Sequence, residues 1–359
     1  MTDAQALIAP AVGAAAQDWS PFVLVAGLLL IGLDADDDGL FAAAGYHLAR
    51  AARRGSVLFA GAVAMIGVVT AVLNLDTSVA FLTPVLVHAG RSRGTMQAPL
   101  LYGCLLLSNA GSLLLPGSNL TNLIVLGHLQ MTGGRFLARM WLPWLAALAI
   151  TGVVAALAER CSPRSRAQGP AAPPARPALG LGLAAVALAT VAVLVLRSPA
   201  LPVAAIGAVA IGVRLWQRRE QPRHVADVLG VPVLAGLFGL AVALGALGRA
   251  WAGPAILLSH LDTWATAAFA AAASVLVNNL PAASLLAART PPHPFALLVG
   301  LNLGPNLFVT GSLAWILWLR AARAAGARPS VARAARLGGI AVPLSIAAAL
   351  GALAVTGSL

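Results

Sequence analysis

The chain has 359 residues, 60% of them hydrophobic and only 9% charged, at a mean hydropathy of +0.88. Its net charge of +12 comes from 23 basic residues, all arginine, scattered over short loops between apolar runs. Continuous runs of about 20 uncharged residues exclude a soluble globular fold and a β-barrel, and the scatter of the arginines excludes a nucleic-acid-binding face.

What remains is an all-α polytopic membrane protein. Met1–Ser20 carries Asp3 and Asp18 but no Arg, unlike a signal peptide, so the first span is expected to direct its own insertion. Pro21–Leu33 forms the core of that span. It runs into Asp34–Gly39, too acidic for hydrocarbon and read as a solvated helix end, not a cation site. Leu40–Arg54 mixes apolar and basic residues and reads as a helix lying in the interface.

Ser56–Leu73 enters the membrane, breaks at Asn74-Leu75-Asp76-Thr77-Ser78, and Val79–Val87 leaves it. Arg50, Arg53 and Arg54 precede this unit; Arg91 and Arg93 follow it. Basic residues at both ends point to a re-entrant hairpin, about residues 56–89, with both ends cytoplasmic. A broken span follows, about 97–131, interrupted first at Ser108–Ser112 and again at Pro116–Asn122. Trp141–Ala158 crosses back. Residues 159–177, rich in Pro and Arg, read as a cytoplasmic linker.

The second half repeats the plan. Three apolar runs, Leu179–Leu196, Leu201–Leu215 and Val228–Leu247, lead to a second hairpin at about 262–288. Its tip is Asn278-Asn279-Leu280-Pro281. A second broken span, about 295–319, is interrupted at Asn302–Asn306 and at Thr310-Gly311-Ser312. Leu337–Thr356 is the last span. The expected organisation is therefore an inverted repeat, 1–158 and 178–359, with two re-entrant hairpins and two broken transmembrane helices. Only Arg135, Arg139, Arg197, Arg249 and Arg289 of the 23 arginines then lie outside, with both termini, as the positive-inside rule requires.

Paired interruptions in two halves mark a transporter's substrate site. Asp76, in the middle of hydrocarbon, is the candidate proton-coupling residue; the bland alternative is a helix cap. Candidate substrate ligands are Asn74, Thr77, Ser78, Asn109, Ser118, Asn119, Thr121, Asn278, Asn279, Asn302, Asn306, Thr310 and Ser312. Each competes with turn or capping chemistry, which uses the same residue types. The histidines show no metal spacing, so neither a metal nor a cofactor is expected. Cys104 and Cys161 form no disulfide framework. No protease or nucleotide-binding motif occurs, so an enzyme is not expected and an ATPase subunit is an optional partner.

Leu75–Pro84, Ser118–Asn122, Asn278–Pro281, Leu303–Asn306, Gly311–Ala314 and Leu317–Leu319 occur in an order that resembles the arsenite permease family of the ion-transporter superfamily. Sodium-coupled dicarboxylate carriers are relatives. The resemblance implies a plasma (inner) membrane transporter exporting arsenite, antimonite or a similar small oxyanion by proton antiport. The alternatives are a sodium-coupled carboxylate symporter and a reduced relative without transport. It also implies a possible homodimer. Family members often carry Asp where Asn109 and Asn302 stand, and Lys where Asn306 stands. They also usually begin with two further spans.

Overall fold

The computed structural model describes residues 3–127, 129, 131–158 and 180–357. The linker expected at 159–177, with Cys161, lies outside the described residues. Among those described, the chain is helical, without a strand.

The first half contains α1 (Asp3–Asp37), α2 (Leu40–Ala51), α3 (Gly55–Leu73), α4 (Leu75–Arg93), α5 (Gln97–Gly111), α6 (Leu120–Leu126) and α7 (Gly133–Leu157). The second contains α8 (Leu181–Val195), α9 (Ala200–Trp216), α10 (Pro222–Leu229), α11 (Val231–Ala250), α12 (Gly253–His260), α13 (Thr263–Val277), α14 (Asn279–Leu286), α15 (Pro294–Leu303), α16 (Leu313–Ala324) and α17 (Val331–Val355). Five stretches are long and apolar enough to cross a membrane: Ala9–Asp37, Gly55–Leu73, Gly133–Leu157, Pro222–Ala250 and Val331–Val355. The chain is a multi-pass membrane protein.

Gly55–Leu73 has the length of a span, yet it turns back. Asn74 sits at φ 133°, outside any helix, and α4 returns along α3. At the open end of this hairpin, a Cβ on Gly55 would meet Thr95 Oγ1 at 3.0 Å. Its two ends therefore lie side by side. Asn278, at φ 77°, turns α13 into α14 in the same way, and Thr263 Oγ1 lies 3.3 Å from His293 Nδ1 across the open end. Asn tolerates positive φ better than any residue with a branched or bulky side chain.

Packing partners come in matching pairs. α3 packs on α5 as α13 packs on α15; α4 packs on α16 as α14 packs on α6; α7 packs on α17, and α1 on α11. α1 also packs against α8 and α9, forming a group beside the hairpins and broken helices. Small residues allow the close approach: a Cβ on Gly27 would lie 2.7 Å from the Ala204 backbone of α9.

The arginine contacts fall into two groups. Arg214 pairs with Asp34 and Asp38, Arg91 bonds Ala325 O, Arg93 bonds Ala52 O and Arg333 bonds Ala158 O. All of these residues lie on the face expected to be cytoplasmic. Arg249 bonds Gln17, Arg289 bonds Arg249 O and Arg139 sits over the Phe295 ring, all on the opposite face. Exposed Trp19, Trp141, Trp251 and Trp264 mark that second face, as aromatic belts do. Between Trp19 and Asp37, 18 helical residues rise about 27 Å, close to the thickness of a bilayer core.

Three expectations are corrected. The first span is not confined to Pro21–Leu33: α1 runs on through Asp37. Asp34–Asp38 is a solvated helix end only in part: α1 ends at exposed Asp37, but Asp34 is fully buried and ion-paired with Arg214, 180 residues away. A buried carboxylate requires such a partner. Arg214 itself lies in the last turn of α9. The first interruption of each broken span comes later than its first Asn, α5 ending at Gly111 and α15 at Leu303, where a 3-10 turn over Gly304–Leu307 follows. α5 continues through Ser108 and Asn109 to Gly111, and α15 through Asn302 to Leu303. In both, the Asn side chain bonds back to the carbonyl four residues earlier, Leu105 O at 3.2 Å and Leu298 O at 2.8 Å, and so stays within the helix.

Candidate functional site

Four half-helices begin at the breaks and hairpin tips: α4 at buried Asn74, α6 at buried Asn119, α16 at buried Ser312 and α14 at half-buried Asn278. Three are capped by their own Asn. Asn74 Oδ1 accepts from Thr77 N at 2.8 Å, Asn119 Oδ1 from Thr121 N at 3.2 Å and Asn278 Oδ1 from Leu280 N at 3.3 Å. Ser312 makes no such cap, and its buried hydroxyl has no hydrogen-bond partner. The N-terminus of α16 therefore keeps unshared N–H groups, which carry partial positive charge.

Between the broken helices lies a buried amide network. Asn302 is its node. Its Oδ1 accepts from Asn119 Nδ2 at 2.6 Å and Ser112 Oγ at 2.8 Å, with Thr121 Oγ1 at 3.4 Å. Its Nδ2 donates to Asn122 Oδ1 at 2.7 Å. Asn109 Nδ2 donates to Asn306 Oδ1 at 2.8 Å, and Asn306 Nδ2 to Leu106 O at 3.0 Å. Asn109, Asn122 and Asn302 are fully buried. No charged side chain bonds to the network. The two halves of the chain are thus joined at their breaks by neutral amides.

The expected ligands divide into three sets. Asn109, Asn119, Thr121, Asn302 and Asn306 meet in this network; Ser118 bonds the Ser112 and Leu115 carbonyls beside it. Hairpin residues approach the breaks at their tips. Ser78 Oγ lies 3.2 Å from Ser108 Oγ, next to Asn109 of the network, whereas Asn279 N donates at 2.9 Å to Gly311 O, outside the network and next to Ser312. Asn278 Nδ2 also donates to Thr310 O at 3.1 Å, and exposed Thr310 turns its hydroxyl to Val275 O. Thr77 points elsewhere: it packs on α1, where a Cβ on Gly32 would lie 2.3 Å from its methyl. Ser112 was missed as a ligand candidate, although it stands in the same polar motif as Asn109; Asn122, which the sequence offers as a ligand or a cap, joins the network.

Asp76 lies in the first turn of α4, half-buried, two residues from Ser78. Its carboxylate makes no hydrogen bond or ion pair with a described residue. Asn74 performs the capping, so the helix end does not need the Asp76 carboxylate.

A family model described as "Citrate transporter" matches residues 3–300. The chain belongs to the citrate transporter family. That supports an ion-transporter type of family, as the motifs suggest, without singling out arsenite permeases. The fold is similar to the crystal structure of the YdaH transporter of Alcanivorax borkumensis. The TM-score is 0.53 at 15% identity, covering 99% of this chain and 89% of that one. The protein is a secondary transporter.

Proposed function

We propose that this transporter moves a small anionic solute by alternating access, with its two halves forming an inverted repeat and the hairpins opening to opposite faces. The observation that carries the proposal is the buried, uncharged amide network at the two breaks, which holds the N-terminus of α6 through Asn119 and is reached by the N-terminal turn of α4 at Ser78–Ser108. Such N-termini bind anions through N–H groups and dipoles, so no arginine is needed there. The uncapped start of α16 with its free Ser312 hydroxyl is the leading contact.

Family membership favours a carboxylate as the solute. Arsenite or antimonite is the second reading, favoured by the neutral amide lining, which suits an uncharged hydroxide as well. Asp76 serves as the proton-coupling group. A sodium-coupled cycle would instead require carbonyl ligands at Asn74–Ser78 and Asn278–Ala282.

Purified protein in liposomes, given labelled citrate, succinate or arsenite under an imposed pH or Na+ gradient, tests the proposal. Accumulation of one class under the pH gradient is expected. Asp76→Asn should still bind solute but lose pH-driven uptake, because an amide mimics the protonated carboxylate permanently. Uphill movement by Asp76→Asn at the parent rate would remove Asp76 as the coupling group. No accumulation of any of the three solutes would sink the substrate assignment.

A further inference from the structure

A second acid occupies a position that the proposed cycle does not use. Asp18, in α1, is 2% exposed, and its Oδ2 has no hydrogen-bond partner. It lies where α1 meets α11 and the returning arm of the second hairpin, α14. A Cβ on Gly245 of α11 would be 3.7 Å from this oxygen. Ser284 of α14 faces it, 2% exposed, with its hydroxyl directed at the Asp18 carboxyl and no other partner. The contact between α11 and α14 is close: a Cβ on Gly248 would be 2.6 Å from Leu285 O.

Arg249 of α11 is the nearby base. Its guanidinium is held by Gln17 Oε1 and Gly245 O, and it forms no ion pair with Asp18. Gln17 in turn donates to Ile124 O of α6 at 3.3 Å. No other charge faces Asp18. α6, α8 and α14 carry no titratable side chain, α9 carries only Arg214 at its far end, Arg197 is exposed in the α8–α9 turn, and Arg289 bonds Arg249 O.

We propose that Asp18 is a proton-binding site that docks α14 against α1 and α11. A carboxylate shut away from water without an ion pair is stable only when protonated. The acid proton then has Ser284 Oγ as its acceptor, across the contact. Ionisation favours withdrawal of α14, which lets water reach the carboxylate. By linkage, proton binding and docking strengthen each other. This site stands beside the Asp76 reading and does not rest on it.

Hydrogen–deuterium exchange of the full chain in nanodiscs tests the site without substrate or gradient. After correction for intrinsic exchange rates, a peptide covering 279–288 should exchange several-fold more slowly at pH 5 than at pH 8. Asp18→Asn should show the slow rate at both pH values, while α4 exchanges alike in both proteins. If Asp18→Asn does not purify, Asp18→Ser should equally abolish the pH dependence of α14. A pH dependence unchanged in either variant, or absent in the parent, overturns the proposal. Failure of the transport assays leaves this readout untouched.

Discussion

Asn302 carries the densest set of contacts in the molecule's interior. Its amide joins Asn119, Ser112 and Asn122 from the other half of the chain, and both ends of the amide are used. Such a residue orients others; it has little left to offer a solute. Asn302→Ala would leave Asn122 Oδ1 unpaired and Asn119 Nδ2 with only Ser112 Oγ at 3.5 Å, each costing about 1–3 kcal/mol less any relaxation. A loss of about 3 kcal/mol in stability, read as a lowered melting temperature, is expected. Asn302→Asp keeps the acceptor but loses the bond to Asn122 and buries a charge. A melting temperature equal to the parent's for Asn302→Ala would show that the network is not a structural node. None of this was legible in the sequence, where Asn302 was one polar residue among several. What Asn302 bonds to lies some 180 residues away.

At the scale of elements, the hairpins were legible because the signal is local. Asn in an apolar run of helical length has few other uses, and Arg on both sides fixes the return. The helix α12, before the second hairpin, was not expected; it begins at Gly253-Pro254 and has too few residues to show periodicity. Each broken span does stop within the expected stretch, but Asn109 and Asn302 are not the breakers, because each bonds back to its own helix. Close packing against the second break is also invisible to pattern. A Cβ on Gly338 of α17 would lie 1.8 Å from Asn306 O, whereas one on Gly339 would meet nothing within 4 Å. Gly338→Ala is expected to cost about 1–3 kcal/mol by overpacking. Gly339→Ala is expected to be neutral or to add up to about 1 kcal/mol from helix propensity. Thermal unfolding of the pair in detergent reads this difference, and equal melting temperatures would refute the contact.

For the whole molecule, the distribution of arginine was enough to propose two faces. The side-chain contacts support that assignment, since each described arginine contact joins residues expected on one face. Composition alone could not pair Asp34 with Arg214, because ion pairs between distant helices leave no trace in sequence spacing. The inverted topology is testable with single thiols in a background lacking Cys104 and Cys161. A cysteine at Gln168, in the segment outside the described residues, should react only from the cytoplasm. One at Thr132, the N-cap of α7, should react only from outside. Reaction of both from the same side would exclude the inverted arrangement.

The carbonyls that receive Arg91, Arg93 and Arg333 belong to the residues that end α16, α2 and α7. Each guanidinium therefore closes the end of a helix other than its own, and two of the three come from the foot of α4. The first hairpin is moored at its base to two neighbours and cannot swing about that base without uncapping both. The second hairpin has one such mooring: Arg289, just past α14, donates to Arg249 O in the last turn of α11, while its tip leaves Leu276 81% exposed. Mechanically the two jaws are bolted unequally: among the described residues two guanidiniums pin the base of the first and one pins the second.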